Sequence, residues 1–219
     1  MLPTYAIGDI HGCLNKLQDL VKRCQLDAGK QAAKFVFLGD YIDRGPDSRG
    51  VVEFLINLQS HQPDLVVCLA GNHEELALTA IYGGQSEVWL RNGGDKTLRS
   101  YGINSAADLP PHHIDWFKAL VDRHDDGRRL FVHAGINPLR PLYQQDDHDL
   151  RWIREPFLSD DRDYGRLIVH GHTPLQTNLP DQRENRLNLD TAAVLGGPLT
   201  AAVFTDEITG PLRFLQAFE

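Results

Sequence analysis

The chain has 219 residues, 42% hydrophobic and 24% charged, with a formal net charge of −8. That length suits one good-sized domain and that composition a globular one, while the negative balance excludes the basic footprint of a nucleic-acid binder. No apolar run approaches the ~20 residues that span a bilayer, and Met1-Leu2-Pro3-Thr4 leads toward a strand without a signal-peptide core, so the chain reads as cytoplasmic with no membrane partner.

In chain order, Thr4-Tyr5-Ala6-Ile7 predicts a first strand that ends in Gly8-Asp9-Ile10-His11-Gly12. Side chains alternate along an extended segment, so Asp9 and His11 share one side and can reach one cation. Leu14, Leu17, Leu20, Val21 and Cys24 have helical spacing. Phe35-Val36-Phe37-Leu38 is a buried strand that runs into Gly39-Asp40-Tyr41-Ile42-Asp43-Arg44-Gly45, where two acids and an arginine arrive together. Pro46-Asp47-Ser48 starts a helix with Val51, Val52, Leu55 and Ile56 on its apolar face. Leu65 to Leu69 is a further strand, wholly apolar, that ends in Ala70-Gly71-Asn72-His73-Glu74 and a helix that stops at Gly83-Gly84.

From about 85 to 128 the pattern weakens. Val88-Trp89-Leu90 suggests a short helix, Asn92-Gly93-Gly94 a turn, and Ile114, Phe117, Leu120 and Val121 another helix after Pro110-Pro111. The stretch is expected to be a helical insertion over the sheet edge within a single domain covering 1–219, with His112 and His113 as surface histidines. Arg129 to Val132 is a fourth strand, ending in His133, and Leu167 to Val169 a fifth, ending in His170-Gly171-His172. Alternating runs around Leu187–Asp190, Thr200–Phe204 and Leu212–Leu215 suggest a mostly antiparallel second sheet beside a parallel α/β core. Cys13, Cys24 and Cys68 have no paired metal spacing, and Cys24 and Cys68 read as reduced core residues.

Five strands thus end in Asp9/His11, Asp40/Asp43/Arg44, Asn72/His73, His133 and His170/His172. Open α/β sheets place their ligands at the carboxyl ends of the strands. Asp, Asn and His form the oxygen and nitrogen donor set of divalent transition metals. A shared carboxylate at Asp40 suits two ions about 4 Å apart, the arrangement used for phosphate-ester hydrolysis.

The blocks GDIHG, GDYIDRGPDS, LAGNHE, HAG and HGHT, running from Gly8 to Thr173, resemble the calcineurin-like metallophosphoesterases, and more narrowly the small bacterial and phage phosphoprotein phosphatases. The resemblance implies a β-sandwich of two mixed sheets flanked by helices. It implies Asp9 and His11 at a first metal, Asp40 as the bridge, and Asn72, His133 and His172 at a second, with manganese expected and iron or zinc as alternatives. His73 would be the general acid, oriented by Asp43, with Arg44 and Arg154 on the phosphoryl oxygens; His170 remains a strand residue. A metal-bridging hydroxide would attack phosphorus directly. Asp190-Thr191-Ala192 stands where eukaryotic members carry a tyrosine.

The activity so implied is hydrolysis of phosphomonoesters on phosphoprotein serine or threonine, or on a small phosphoester. The same blocks also resemble symmetrical dinucleoside-polyphosphate (diadenosine tetraphosphate) hydrolases. Those tend to have alanine where Asp43 stands, so Asp43 favours the phosphatase. A binding protein on a degenerate scaffold would be expected to lack one of the donors.

Overall fold

The computed structural model describes residues 2–218. Its elements are β1 (Thr4–Ile7), α1 (Leu14–Ala28), β2 (Lys34–Phe37), α2 (Ser48–His61), β3 (Val66–Cys68) and α3 (Asn72–Gly83). Then come α4 (Ser86–Trp89), a kinked turn (Leu90–Gly94), α5 (Asp95–Tyr101), α6 (Pro111–Ala119), β4 (Arg123–Asp125) and β5 (Arg129–Val132). The chain continues through α7 (Asp147–Trp152), β6 (Leu167–His170), β7 (Asp181–Gln182), β8 (Arg186–Asn188), β9 (Leu199–Phe204) and β10 (Arg213–Ala217).

The strands form two mixed sheets, in the orders β10-β9-β1-β2-β3 and β4-β5-β6-β8-β7. β1, β2 and β3 run parallel, as do β5, β6 and β8, while β9 lies antiparallel to β1 and β4 antiparallel to β5. This corrects the reading of one parallel core with the tail as a separate sheet. The tail is split: β9 and β10 complete the first sheet and β8 joins the second.

Alternation along the strands explains the sandwich. Tyr5, Ile7, Phe35 and Phe37 pack outward with Leu17, Leu20, Val51 and Leu55 of the helices. Ala6, Val36 and Leu38 face inward and meet Phe131, Val169, Leu187 and Phe204 between the sheets. On the far side Leu130, Val132 and Ile168 pack with Leu150, Ile153 and Phe157. Cys24 and Cys68 are buried and unpaired. No helix among the described residues is long and apolar enough to cross a membrane.

His113 departs from the sequence expectation. His112 is exposed, but His113 is 1% exposed and its Nδ1 lies 2.8 Å from the Tyr101 hydroxyl. The helical period turns His113 inward with Phe117, four residues on, while its neighbour faces out.

Candidate active site

Loops leaving β1, β2 and β3 of one sheet and β5 and β6 of the other converge on Asp40, which is 2% exposed. Asp40 Oδ2 lies 3.4 Å from His11 Nε2 and 3.9 Å from His73 Nε2. Asp40 Oδ1 lies 3.3 Å from His133 Nε2 and accepts the His73 backbone N–H at 3.1 Å. Asn72 Oδ1 sits 3.0 Å from His133 Nε2 and 2.9 Å from His172 Nδ1. Asp9 accepts the His172 backbone N–H at 3.1 Å through both oxygens. Gly171 permits this approach, because a Cβ there would collide with Asp9 Oδ1.

The donor chemistry fits cations. His11 Nδ1 is bound to the Ile42 carbonyl and His133 Nδ1 to the Leu38 carbonyl, each at 2.8 Å. Those carbonyls require the proton on Nδ1, which leaves the Nε2 lone pairs facing carboxylate oxygens of Asp40. Burial holds His11 neutral by pushing its pKa down to about 3 and lowers that of His133 as well. Lone pairs arranged in this way suit a cation between them, and at His11 Nε2 the Arg44 guanidinium already approaches to 2.9 Å. His11, Asp40 and His73 form one group of converging donor atoms, and Asp40, His133 and His172 another. Nε2 of His172 is buried without a hydrogen-bond partner. Burial would raise the Asp40 pKa, but the imidazoles of His133, His73, His11 and His172 carry it well below the usual carboxylate range.

His73 differs from the other histidines. Its Nδ1 is 2.7 Å from Asp43 Oδ2, and its Nε2 is buried without a partner. Burial works against its charge, yet Asp40 and Asp43 together raise its pKa. Arg44 is exposed at the mouth of the site, with Nη1 2.9 Å from His11 Nε2. Arg154 is exposed just after α7, and its positive charge contributes to pressing the His172 pKa down to about 3, an effect chiefly of burial. His170 lies in β6 on the outer face, its ring 5.1 Å from that of Phe157 and away from the donors.

Several residues at the site were not singled out from the sequence. Glu74 is 1% exposed and accepts the backbone N–H groups of Gly71, Asp40, Tyr41 and Ile42 at 2.8–3.3 Å. Burial, then Asp40, pushes its pKa up, and the hydrogen bond from the Tyr41 backbone N–H opposes that shift. Asp190 is buried beside Asp9; burial pushes Asp190 up to about 6, and burial followed by Asp190 raises Asp9. The alternating strand Arg186–Asn188 also runs into an acid, Asp190, at its carboxyl end, and so could have signalled it. Trp89, Thr97 and Ser48 also meet at Asp43, with no comparable local signal. His11, Asp40, Asp43, Arg44 and His172 all have left-handed φ, between 45° and 72°. Such strain concentrates at functional sites.

The sequence profile of the calcineurin-like phosphoesterases matches residues 2–203. Serine/threonine-protein phosphatase 1 of Salmonella typhimurium is 32% identical over 206 residues, covering 90% of each chain. A symmetrical bis(5'-nucleosyl)-tetraphosphatase of Cellvibrio japonicus is 39% identical over 145 residues, 64% of this chain and 48% of the relative, so the match spans about half of that protein. A solved structure provisionally named a diadenosine tetraphosphatase superposes with a TM-score of 0.74 over 99% of this chain and 94% of its own, at 23% identity.

Proposed function

Because this chain belongs to the calcineurin-like phosphoesterase family, we propose that it is a metal-dependent phosphoprotein phosphatase that hydrolyses serine and threonine phosphomonoesters. The carrying observation is the 2.7 Å contact of Asp43 with His73 Nδ1, which leaves Nε2 of a histidine with raised pKa beside the donor cluster. Similarity to the Salmonella phosphatase across nine-tenths of both chains supports the same reading.

In this reading Asp9, His11 and Asp40 hold one divalent ion, and Asp40, Asn72, His133 and His172 the other. Manganese is the expected ion, with iron or zinc compatible with the same donors. Bound ions supply Lewis acidity at the phosphoryl oxygens and lower the pKa of the attacking water. Arg44 and Arg154 approach from the open side and bind the phosphoryl oxygens, where negative charge concentrates. His73 delivers a proton from Nε2 to the departing serine or threonine oxygen, a poor leaving group without it. Asp43 holds the imidazole in register and supports its positive charge.

The second reading is a symmetrical dinucleoside-tetraphosphate hydrolase, favoured by the 39% identity to the Cellvibrio enzyme. Purified protein with manganese, assayed on a phosphoserine peptide, a phosphotyrosine peptide and diadenosine tetraphosphate, separates the two. The phosphatase reading expects the highest kcat/KM on phosphoserine and loss of turnover on chelation. A higher value on diadenosine tetraphosphate would replace it with the second.

A further inference from the structure

Residues 86–101 lie over the Asp43–Arg44 turn and touch it at three places. Trp89 Nε1 donates to Asp43 Oδ2 at 3.0 Å and to Oδ1 at 3.1 Å. Thr97 donates from its hydroxyl to Asp43 Oδ1 at 2.6 Å and accepts the Asp43 backbone N–H at 2.9 Å. The Gly93 carbonyl accepts the Arg44 backbone N–H at 3.2 Å. Trp89 is 1% exposed and Thr97 fully buried.

The turn being held is one that the chain does not favour on its own. Asp43 and Arg44 stand in succession at φ 72° and 65°, where L side chains crowd the backbone. The segment that covers them has its own irregularity, a kink within Leu90–Gly94 where Gly93 leaves helical geometry at φ 104°. Here its purpose is legible in the packing. A Cβ on Gly93 would come within 2.7 Å of Arg44 N, and one on Gly94 within 2.5 Å of the Trp89 ring. Only glycines let the turn sit on Arg44 and against Trp89 at once.

Asp43 Oδ2 faces His73, while Oδ1 takes the Thr97 hydroxyl and Trp89 reaches both oxygens. With donors fixed on both oxygens the carboxylate cannot rotate about its terminal torsion without losing one. The His73 ring inherits that orientation through the 2.7 Å contact. A network that only satisfied a buried acid would need no simultaneous hold on the adjoining Arg44 backbone.

We propose that Trp89, Gly93 and Thr97 are positioning residues that form a clamp: Trp89 and Thr97 aim Asp43 at His73, and Gly93 seats Arg44, so that one segment sets both the proton donor and the phosphate-binding arginine. The proposal rests on the reading of His73 as the general acid. A misplacement of about 1 Å caused by a change away from the chemistry can cost about 10²-fold in rate.

The test compares kcat on a phosphoserine peptide and on p-nitrophenyl phosphate, whose leaving group scarcely needs a proton, for Thr97→Val, Thr97→Ser, Trp89→Phe and His73→Asn with manganese. Metal content and melting temperature are measured in parallel. Thr97→Val is expected to slow the phosphoserine reaction by a factor about tenfold larger than the p-nitrophenyl reaction, part of the about 10²–10⁴-fold that a general acid supplies, with metal retained. Thr97→Ser should restore the wild-type ratio, and Trp89→Phe should shift it in the same direction as Thr97→Val. Equal slowing of both substrates by Thr97→Val and Trp89→Phe, while His73→Asn still separates them, would overturn the clamp and leave the general acid standing. No separation in His73→Asn itself would overturn both the general-acid reading and the clamp built on it.

Discussion

The two sides of Asp40 are built from the same residue type and differ in what stands behind it. On the Oδ1 side His133 leans its Nδ1 on the Leu38 carbonyl, and burial keeps His133 and His172 neutral. On the Oδ2 side His73 leans on the Asp43 carboxylate, and its pKa rises in spite of burial. A carbonyl behind a buried imidazole leaves a lone-pair donor suited to a cation. A carboxylate in the same position favours the protonated ring, which on the proposed reading is the proton donor. His11 stands on the Oδ2 side but leans on the Ile42 carbonyl, and it behaves chemically like His133. On the proposed reading, the backing group, more than the side of the cluster, decides the role.

Breaking the centre should have the largest effect. Asp40→Asn removes charge that both groups of donors share, and it should abolish metal loading along with turnover. Asp43→Asn should retain metal and lose about 10²–10⁴-fold, the range of a general-acid contribution. Metal content and rate measured on both variants decide it; equal metal loss in the two would show that the sides are not separate.

A smaller effect tests the frame that carries both sides. The Glu74 carboxylate collects four backbone N–H groups, including that of Asp40. Glu74→Gln keeps one acceptor oxygen and places an amide against those donors, so urea unfolding should show a loss of about 1–3 kcal/mol. An unchanged midpoint would mean the loops hold their left-handed turns without it.

How much of this could be read from sequence follows from distance along the chain. Asp9, Asp40, Asn72, His133 and His172 each follow an apolar strand closely, and the sheet edge gathers whatever stands there. The division of those strands between two sheets was hidden, because alternation tells which way a side chain faces and not which strand lies alongside. Ala202 pairs with Ala6 from 196 positions away, a contact that no local pattern encodes. Trp89 and Thr97 reach Asp43 across 46 and 54 positions, through a turn whose glycines looked like ordinary loop. Pro110-Pro111 points to an exposed turn at His113, whereas Tyr101 supplies a hydroxyl to its ring from the preceding helix.

The smallest expected effect contrasts a histidine outside the site with those inside. Burial holds the His113 pKa at about 4, below its ordinary 6.5. The unfolded chain therefore binds the proton more readily, so the stability from His113 is complete above pH about 6.5 and is lost as pH falls toward about 4. Stability measured against pH should be less steep in His113→Phe, by at most about one proton across that window. An identical slope would show that His113 is not held neutral.

The contrast between a proton-holding and a cation-holding histidine is tested most directly by His73→Asn, with metal per chain and kcat measured together. The account predicts metal content as in the wild type, and a far greater loss on a phosphoserine peptide than on p-nitrophenyl phosphate. Loss of metal with equal slowing of both substrates would contradict it and make His73 one more ligand.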